Sequence, residues 1–216
     1  MSAALVVFSG GQDSTTCLAL ALQQHAQVRA ICFAYNQRHA VEIEQAKIIA
    51  TKAGVPLRVM DVSWMAELSR NALTDHKQPI DASVDGLPST FVPGRNHIFL
   101  SLAALEAYRY DIEHLYTGVC QTDYSGYPDC RETFIAALNQ TLNLAMDTQV
   151  VIHTPLMHLT KAQSVQLMVN LDKLAWLADS HTCYEGHRPA CGQCPACELR
   201  LKGFAEAGIK DPLAYA

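Results

Sequence analysis

No apolar run in this chain approaches the length needed to cross a bilayer, and no cluster of lysine and arginine is dense enough to track a phosphate backbone. Charged residues make up only 17% of the 216, and their balance is negative, at −5. That sign argues against a protein that grips nucleic acid by its phosphates. The first residues lack the basic start and small-residue cleavage site of a secretory signal and enter a strand at once. The expectation is a cytoplasmic protein with no membrane contact and no direct nucleic-acid partner. Internal repeats and low-complexity tracts are missing too. Half of the residues are hydrophobic, which is enough for a sizeable core and too many for wholesale disorder. The length suits one large α/β domain with a small appendage.

Cysteine, by contrast, is plentiful, with eight in the chain. Cys183, Cys191, Cys194 and Cys197 fall within fifteen residues in the pattern C-x7-C-x2-C-x2-C. Such grouping points to a metal in a reducing compartment rather than to disulfides. Two residues between thiolates let successive sulfurs turn onto one ion, and four thiolates complete tetrahedral Zn2+ with no open position. The site is therefore expected to be structural. Pro189, Gly192 and Pro195 supply the bends. An iron–sulfur cluster takes the same four ligands and stays a rival, and His181 and His187 lie near enough in sequence to replace a thiolate. Cys17 and Cys32 sit in apolar runs and read as core. Cys120 and Cys130 flank a polar loop, with no neighbouring histidine to activate either.

The glycine signatures of two common nucleotide sites are also absent: there is neither a Gly-Lys-Ser/Thr loop nor a Gly-x-Gly-x-x-Gly turn. In their place stands Ser9-Gly10-Gly11-Gln12-Asp13-Ser14. The uncharged run Leu5-Val6-Val7-Phe8 before it reads as a strand buried on both faces. Thr15-Thr16-Cys17-Leu18 and the Ala/Leu-rich residues that follow read as a helix. Two glycines permit φ > 0 and a close backbone approach. The helix that starts there aims its unpaired N–H groups and positive dipole end at an anion. The hydroxyls of Ser9, Ser14, Thr15 and Thr16 are expected to add donors. An ordinary strand–turn–helix corner is the alternative for a bare Gly-Gly.

Further along, Val28 to Ala34 reads as a strand, Arg38 to Ala53 as a helix stopped by Gly54-Val55-Pro56, and Leu57 to Val62 as a third strand. This rhythm implies parallel strands. From 69 to 90 the chain is polar and aperiodic, either a lid over the site or a surface loop. A helix from about Ile98 to Tyr108 precedes a strand around 114–118. Asp129 and Glu132 have capping-box spacing, so a helix is expected from near Cys130 to Met146. A short strand, Val150 to His153, leads to a second capping-box pair, Thr160 with Gln163, and a helix from Lys161 to about Leu171. A last helix runs from near Cys194 to Ala207.

Asp123, Tyr124, Ser125, Tyr127, Asp129 and Arg131 crowd nine residues after a predicted strand end, where open α/β sheets bind ligands. Carboxylates can accept from a purine-like base, tyrosines can stack on it and an arginine can hold a carboxylate in bidentate fashion. A turn-rich surface loop is the equal alternative. Lys161 and Arg95 are candidates to neutralise charge on a transferring phosphate.

Together these stretches resemble one family. The hexapeptide resembles the SGGxDS signature of the PP-loop ATP pyrophosphatases. FSGGQDSTTCL (8–18), FVPGRN (91–96), DYSGYPDCR (123–131), TPLM (154–157) with Lys161, and the cysteine pattern are similar to the 7-cyano-7-deazaguanine synthase family of the queuosine precursor pathway. The likeness spans nearly the whole chain in order. It implies a Rossmann-like parallel sheet flanked by helices, of the adenine nucleotide alpha hydrolase-like PP-loop type (1–180), with a small zinc-binding helical region (181–216). It implies that Phe8, Ser9, Gly10, Gly11, Gln12, Asp13, Ser14, Thr15, Thr16, Cys17 and Leu18 hold ATP with Mg2+, and that Ser9, Asp13, Ser14, Arg95 and Lys161 serve catalysis. It further implies that the 123–131 loop holds 7-carboxy-7-deazaguanine, that ammonia is the nitrogen donor, and that the protein is a homodimer. Two departures stand out. Ala34-Tyr35-Asn36 replaces the family's usual Asp-Tyr-Gly before Gln37-Arg38-His39, and the 183–191 segment is a little short. The rivals are a PP-loop enzyme that adenylates a tRNA base and a non-catalytic nucleotide-binding module.

Overall fold

Ala3–Val7 (β1) sends Leu5 to one side and Ala4 and Val6 to the other, and all three are buried. A strand whose two faces are both apolar needs a layer of helices on each side. The computed structural model, which describes residues 2–35, 40–68, 83–84, 87–88, 91–121 and 127–216, has that arrangement. Gln12–Gln24 (α1), Gln27–Ala34 (β2), Ala40–Ala53 (α2), Leu57–Asp61 (β3) and the short Met65–Leu68 (α3) come first. The two-residue strands Ser83–Val84 (β4) and Leu87–Pro88 (β5) then pair antiparallel with each other. Arg95–Arg109 (α4), His114–Tyr116 (β6), Glu132–Met146 (α5), Val151–His153 (β7), Lys161–Asn170 (α6) and Pro195–Glu206 (α7) complete the chain.

The main sheet has the order β3-β2-β1-β6-β7, parallel throughout. Leu5, Ile31, Phe33, Leu115 and Ile152 pack on one face against Leu100, Ala103 and Ala107 of α4 and Ile135, Leu138 and Leu142 of α5. Ala4, Val6, Ala30, Cys32 and Tyr116 pack on the other against Cys17, Leu18 and Ala21 of α1 and Ala46, Ile49 and Ala50 of α2. Cys17 and Cys32 are core residues, as expected. A smaller cluster of Ala19, Val165, Met168, Leu177 and Phe204 ties α6 and α7 to the back of α1. The strand order reverses between β1 and β6. In an open parallel sheet, the crevice beyond their carboxyl ends is where a ligand sits.

One expected element start is corrected. Asp129 does not cap the helix that follows it: α5 begins at Glu132, its cap residue Arg131 is extended, and no side chain caps it. Pro128 instead sets a single 3-10 turn over Pro128–Cys130. The Asp129 carboxylate accepts from the Asn96 backbone N–H at 2.9 Å, and the Asn96 side chain donates to the Asp129 carbonyl at 3.2 Å. Asp129 therefore caps α4 from across the fold. That explains how α4 can start at Arg95, three residues earlier than its apolar period suggests, behind a left-handed Gly94 that offers no cap of its own. The second capping box forms as expected, with Gln163 N donating to Thr160 Oγ1 and Thr160 N to Gln163 Oε1. Most of the 69–90 stretch, the Asn36 departure with Gln37, Arg38 and His39, and the site candidates Asp123, Tyr124 and Ser125 lie outside the described residues.

Candidate active site

The turn between β1 and α1 is held so that only glycine fits its middle. Gly10 has φ +84°, and a Cβ there would lie 2.6 Å from the Glu42 carbonyl oxygen and 2.7 Å from the Ala46 nitrogen. The turn is therefore pressed onto the first turns of α2. Gly11 is the cap residue of α1 and provides no side-chain acceptor, so the opening N–H groups of α1 point outwards. Ser9 Oγ lies 3.2 Å from Ser14 Oγ and accepts from Gly11 N at 3.3 Å. The Gln12 side chain is buried, yet its amide Nε2 finds no acceptor among the described residues. A buried, unspent donor in the wall of a cavity marks a place for a ligand.

Thr15 and Thr16 are corrections. Their hydroxyls fold back to the carbonyls of Gly11 (2.7 Å) and Gln12 (3.0 Å) and are buried. They close the first turn of α1 and offer nothing to the cavity, while Cys17 and Leu18 belong to the core.

The cavity has a volume of about 320 Å³ and opens between β1 and β6. On one side Lys161 Nζ donates to Asp13 Oδ2 at 2.6 Å, with the two side chains 13% and 27% exposed. Lys161 thus points inwards from the first turn of α6. Gly118, just past β6, lets the chain run close to α1, since a Cβ there would stand 3.0 Å from Asp13 and Ser14. On the opposite side Arg95 projects from the start of α4, 3.5 Å from the Tyr35 hydroxyl and 5.9 Å from the centre of the Tyr127 ring. Burial works against its charge, but Tyr35, Tyr127, Asp129 and Tyr184 draw its pKa above the ordinary arginine value. Phe91 stacks on Tyr127, and Phe99 lies beside Tyr35. One half of the cavity is thus lined with anion-binding groups, and the other is a cationic pocket walled by aromatic rings.

Of the described loop candidates, Tyr127 lines this pocket. Asp129 is committed to α4, and Arg131 is exposed at the start of α5, away from the cavity lining. Glu42, Tyr35, Thr182 and Tyr184 also line the cavity and were not singled out from sequence. Tyr35 could have been found by its place just past the carboxyl end of β2. Glu42 looks like any first-turn helical acid, and Tyr184 is masked by the cysteine beside it.

Cys183, Cys191, Cys194 and Cys197 converge, with all four sulfurs within 4.8 Å of one another. Tyr184 N donates to Cys194 Sγ at 3.4 Å, and Gln193 N and Cys194 N donate to Cys191 Sγ at 3.4 and 3.3 Å. Burial pushes the Cys191 thiol up, but the Gln193 and Cys194 amides, with the Cys183 and Cys194 thiols, outweigh it and bring it to about 7. Amide donors around a sulfur favour its thiolate, the form that binds metal. The donor set fits one tetrahedral ion. His181 takes no place among these four; its backbone N–H instead donates to the Gly10 carbonyl at 2.9 Å. The segment entering the cysteine corner is therefore tied to the glycine turn. At the other end of the corner, Gly203 of α7 packs so tightly on α6 that a Cβ would lie 2.5 Å from the Lys161 Cβ.

Comparison with known proteins gives a consistent picture. The family model "Queuosine biosynthesis protein QueC" matches residues 3–208. A 7-cyano-7-deazaguanine synthase of Laribacter hongkongensis is 54% identical over 213 residues, spanning 97% of this chain and 93% of that relative. Among solved structures, the NMN synthetase of Francisella tularensis superposes with a TM-score of 0.53 at 16% identity, covering 97% of this chain and 78% of that one. A 4-thiouridine synthetase in complex with RNA and bound ATP gives 0.53 at 15% identity, covering 96% and 50%. At such identities the two structures share the fold alone: a parallel sheet with helices on both faces.

Proposed function

Because the chain belongs to the QueC family of queuosine biosynthesis proteins, we propose that it makes 7-cyano-7-deazaguanine from 7-carboxy-7-deazaguanine, ammonia and ATP. One observation supports this most directly: a single cavity joins an uncapped helix end, with a buried unspent amide, to a cationic aromatic pocket. The first half suits a polyphosphate. The second suits a flat anionic ring system, with tyrosine for its face and arginine for its carboxylate.

In this reading the opening N–H groups of α1, with Ser9, Ser14 and the Gln12 amide, cradle the phosphates of ATP. Lys161 moves from Asp13 to the bridging oxygen of the departing pyrophosphate, where it offsets charge as it builds. Mg2+ bound with ATP would supply further charge neutralisation, and Asp13, released by Lys161, would hold it directly or through water. Arg95 aims the substrate carboxylate at the α-phosphate, so that an acyl adenylate forms. Ammonia displaces AMP to give the amide, and a second activation of the amide oxygen leads to the nitrile. Positioning and fixed charge carry most of the rate enhancement. The same reading makes the enzyme a cytoplasmic homodimer, with small molecules as its only substrates.

Incubation with ATP, ammonia and 7-carboxy-7-deazaguanine is expected to yield the nitrile and one pyrophosphate for each of the two activations. Nucleotide binding without pyrophosphate release would sink the enzyme reading, and adenylation only on addition of tRNA would redirect it to an RNA base.

The cysteine corner is read as a Zn2+ site with a structural role. Strong chelation, or Cys194→Ser, is expected to lower the thermal midpoint by several degrees, because metal binding to a closed site contributes folding free energy. Metal analysis should find one zinc per chain in the parent protein. A metal-free variant with an unchanged midpoint would remove this role.

A further inference from the structure

Glu42 stands apart among the groups around the cavity. It is the third residue of α2, and its own carbonyl oxygen is the atom that excludes a side chain at Gly10. Its backbone is therefore part of the floor of the glycine turn, while the residue lines the cavity between that turn and Arg95. The other acids here have partners: Asp13 is bonded to Lys161, and Asp129 to the backbone of Asn96. The Glu42 carboxylate makes no hydrogen bond or ion pair with the described residues. Among the described residues, the titratable and charged groups around it are Arg95 from α4, Cys32 and Tyr35 from β2 and its end, and Tyr184 from the cysteine corner.

The reaction proposed above leaves one proton without an acceptor. Once the amide oxygen is adenylated, the cationic adduct can lose its first N–H proton to water. The second N–H bond must break as the C–O bond opens. We propose that the Glu42 carboxylate takes that second proton and so is the general base of the amide-to-nitrile step. The N–H electron pair becomes the third carbon–nitrogen bond, the C–O pair departs with AMP, and the carboxylate ends as the neutral acid. Atoms and charge balance with no further reactant. The inference rests on the functional reading above and adds the residue that reading lacks.

The environment suits the task. Burial raises the Glu42 pKa to about 8, against the pull of Arg95. Once ionised, a carboxylate of that basicity is a stronger proton acceptor than an ordinary one at about 4.3. The sign is fixed by this direction: the carboxylate form is scarce below pH 8 and dominant above it. A base-dependent rate should therefore rise with pH through that value.

The test starts from the amide, which removes ammonia and its own titration from the assay. For the parent protein, kcat/KM for amide to nitrile should rise through an acid limb near pH 8. Glu42→Gln should lose roughly 10²–10⁴-fold in this step, the usual weight of a general base, and its acid limb should vanish. Supplied instead with the carboxylate and ammonia, the variant should still release pyrophosphate and should accumulate amide. Glu42→Asp should recover part of the rate with a displaced limb. The proposal is overturned if Glu42→Gln makes nitrile from amide within about threefold of the parent rate, or keeps the limb. It is overturned equally if both half-reactions fall together with ATP binding, which would mean a structural role. Failure of the functional reading would look different: the parent protein itself would leave the amide untouched.

Discussion

Asp13→Ala should release pyrophosphate roughly 10³-fold more slowly than the parent protein, the upper end of what one electrostatic contact in an active site is worth. The argument rests on the pair it makes with Lys161 at 2.6 Å. In this structure each group holds the other. When ATP enters, the function proposed above needs the amine on the phosphates and the carboxylate on the accompanying magnesium. The alanine variant frees the lysine but removes the cation's anchor. It should fold: the pair is partly solvated, and losing it should cost on the order of 1 kcal/mol. Asp13→Asn, which keeps shape and a hydrogen bond but not the charge, should be nearly as slow. Pyrophosphate release, with a melting curve as control, is the measurement. Turnover within tenfold of the parent in either variant would take Asp13 out of the mechanism.

The largest effect on stability is expected from Arg200→Ala. Arg200 lies on α7 with its side chain 1% exposed, and Asp211, 5% exposed, meets it twice: Nε donates to Oδ2 at 2.7 Å and Nη2 to Oδ1 at 2.9 Å. Nη1 donates to Ser180 Oγ and Nη2 also to the Leu177 carbonyl, while the Tyr215 hydroxyl donates to Asp211. Truncation leaves a carboxylate buried without its cation, at a cost of about 3–5 kcal/mol. For a chain of this length that is a fall of roughly 10 °C in Tm. Replacing both partners with apolar residues should cost much less, since no charge is then stranded. The pH dependence has a definite sign. Burial alone would raise the Asp211 pKa, but the bonds and charge of Arg200, with Tyr215 and the Leu213 amide, hold it below the ordinary value. Such a depressed carboxylate stabilises the fold above its unfolded pKa of about 4 and loses that contribution as pH falls through the folded value. The gap between parent and variant should be full at neutral pH and narrow in acid. Urea melts at several pH values measure it; a gap below about 1 kcal/mol at pH 7 would contradict the account.

Apolar spacing and turn chemistry carried much of the architecture. β1, β6 and β7 lie where short apolar runs lead into Gly10, Gly118 and Pro155, and the Thr160–Gln163 box marks the start of α6 to the residue. Asp129 shows the limit of such signals. Its spacing to Glu132 fits a cap, but Pro128 bends the chain away, and a distant helix with no cap of its own takes the carboxylate. Local patterns do not register a partner thirty-three residues upstream. The inward turn of Lys161 likewise depends on Asp13 and Gly203, which no local spacing brings beside it. Arg200 reads as one more polar residue on a helix; only Asp211, Ser180 and the Leu177 carbonyl around it turn it into a buried anchor. Side chains that act from different elements, such as Glu42, Tyr35 and Arg95, share no spacing at all, because the sheet rather than the chain sets their distance.

The contact of Gly203 with Lys161 carries one more consequence. The helix that begins among the cysteines is the surface on which the lysine's own backbone rests, and the chain that enters the cysteines is bonded to Gly10. Both ends of the corner therefore buttress the two ends of the cavity's phosphate side. On the function proposed above, loosening the cysteine corner should slow pyrophosphate release as well as lower stability, although none of the four sulfurs belongs to the Asp13–Lys161 pair.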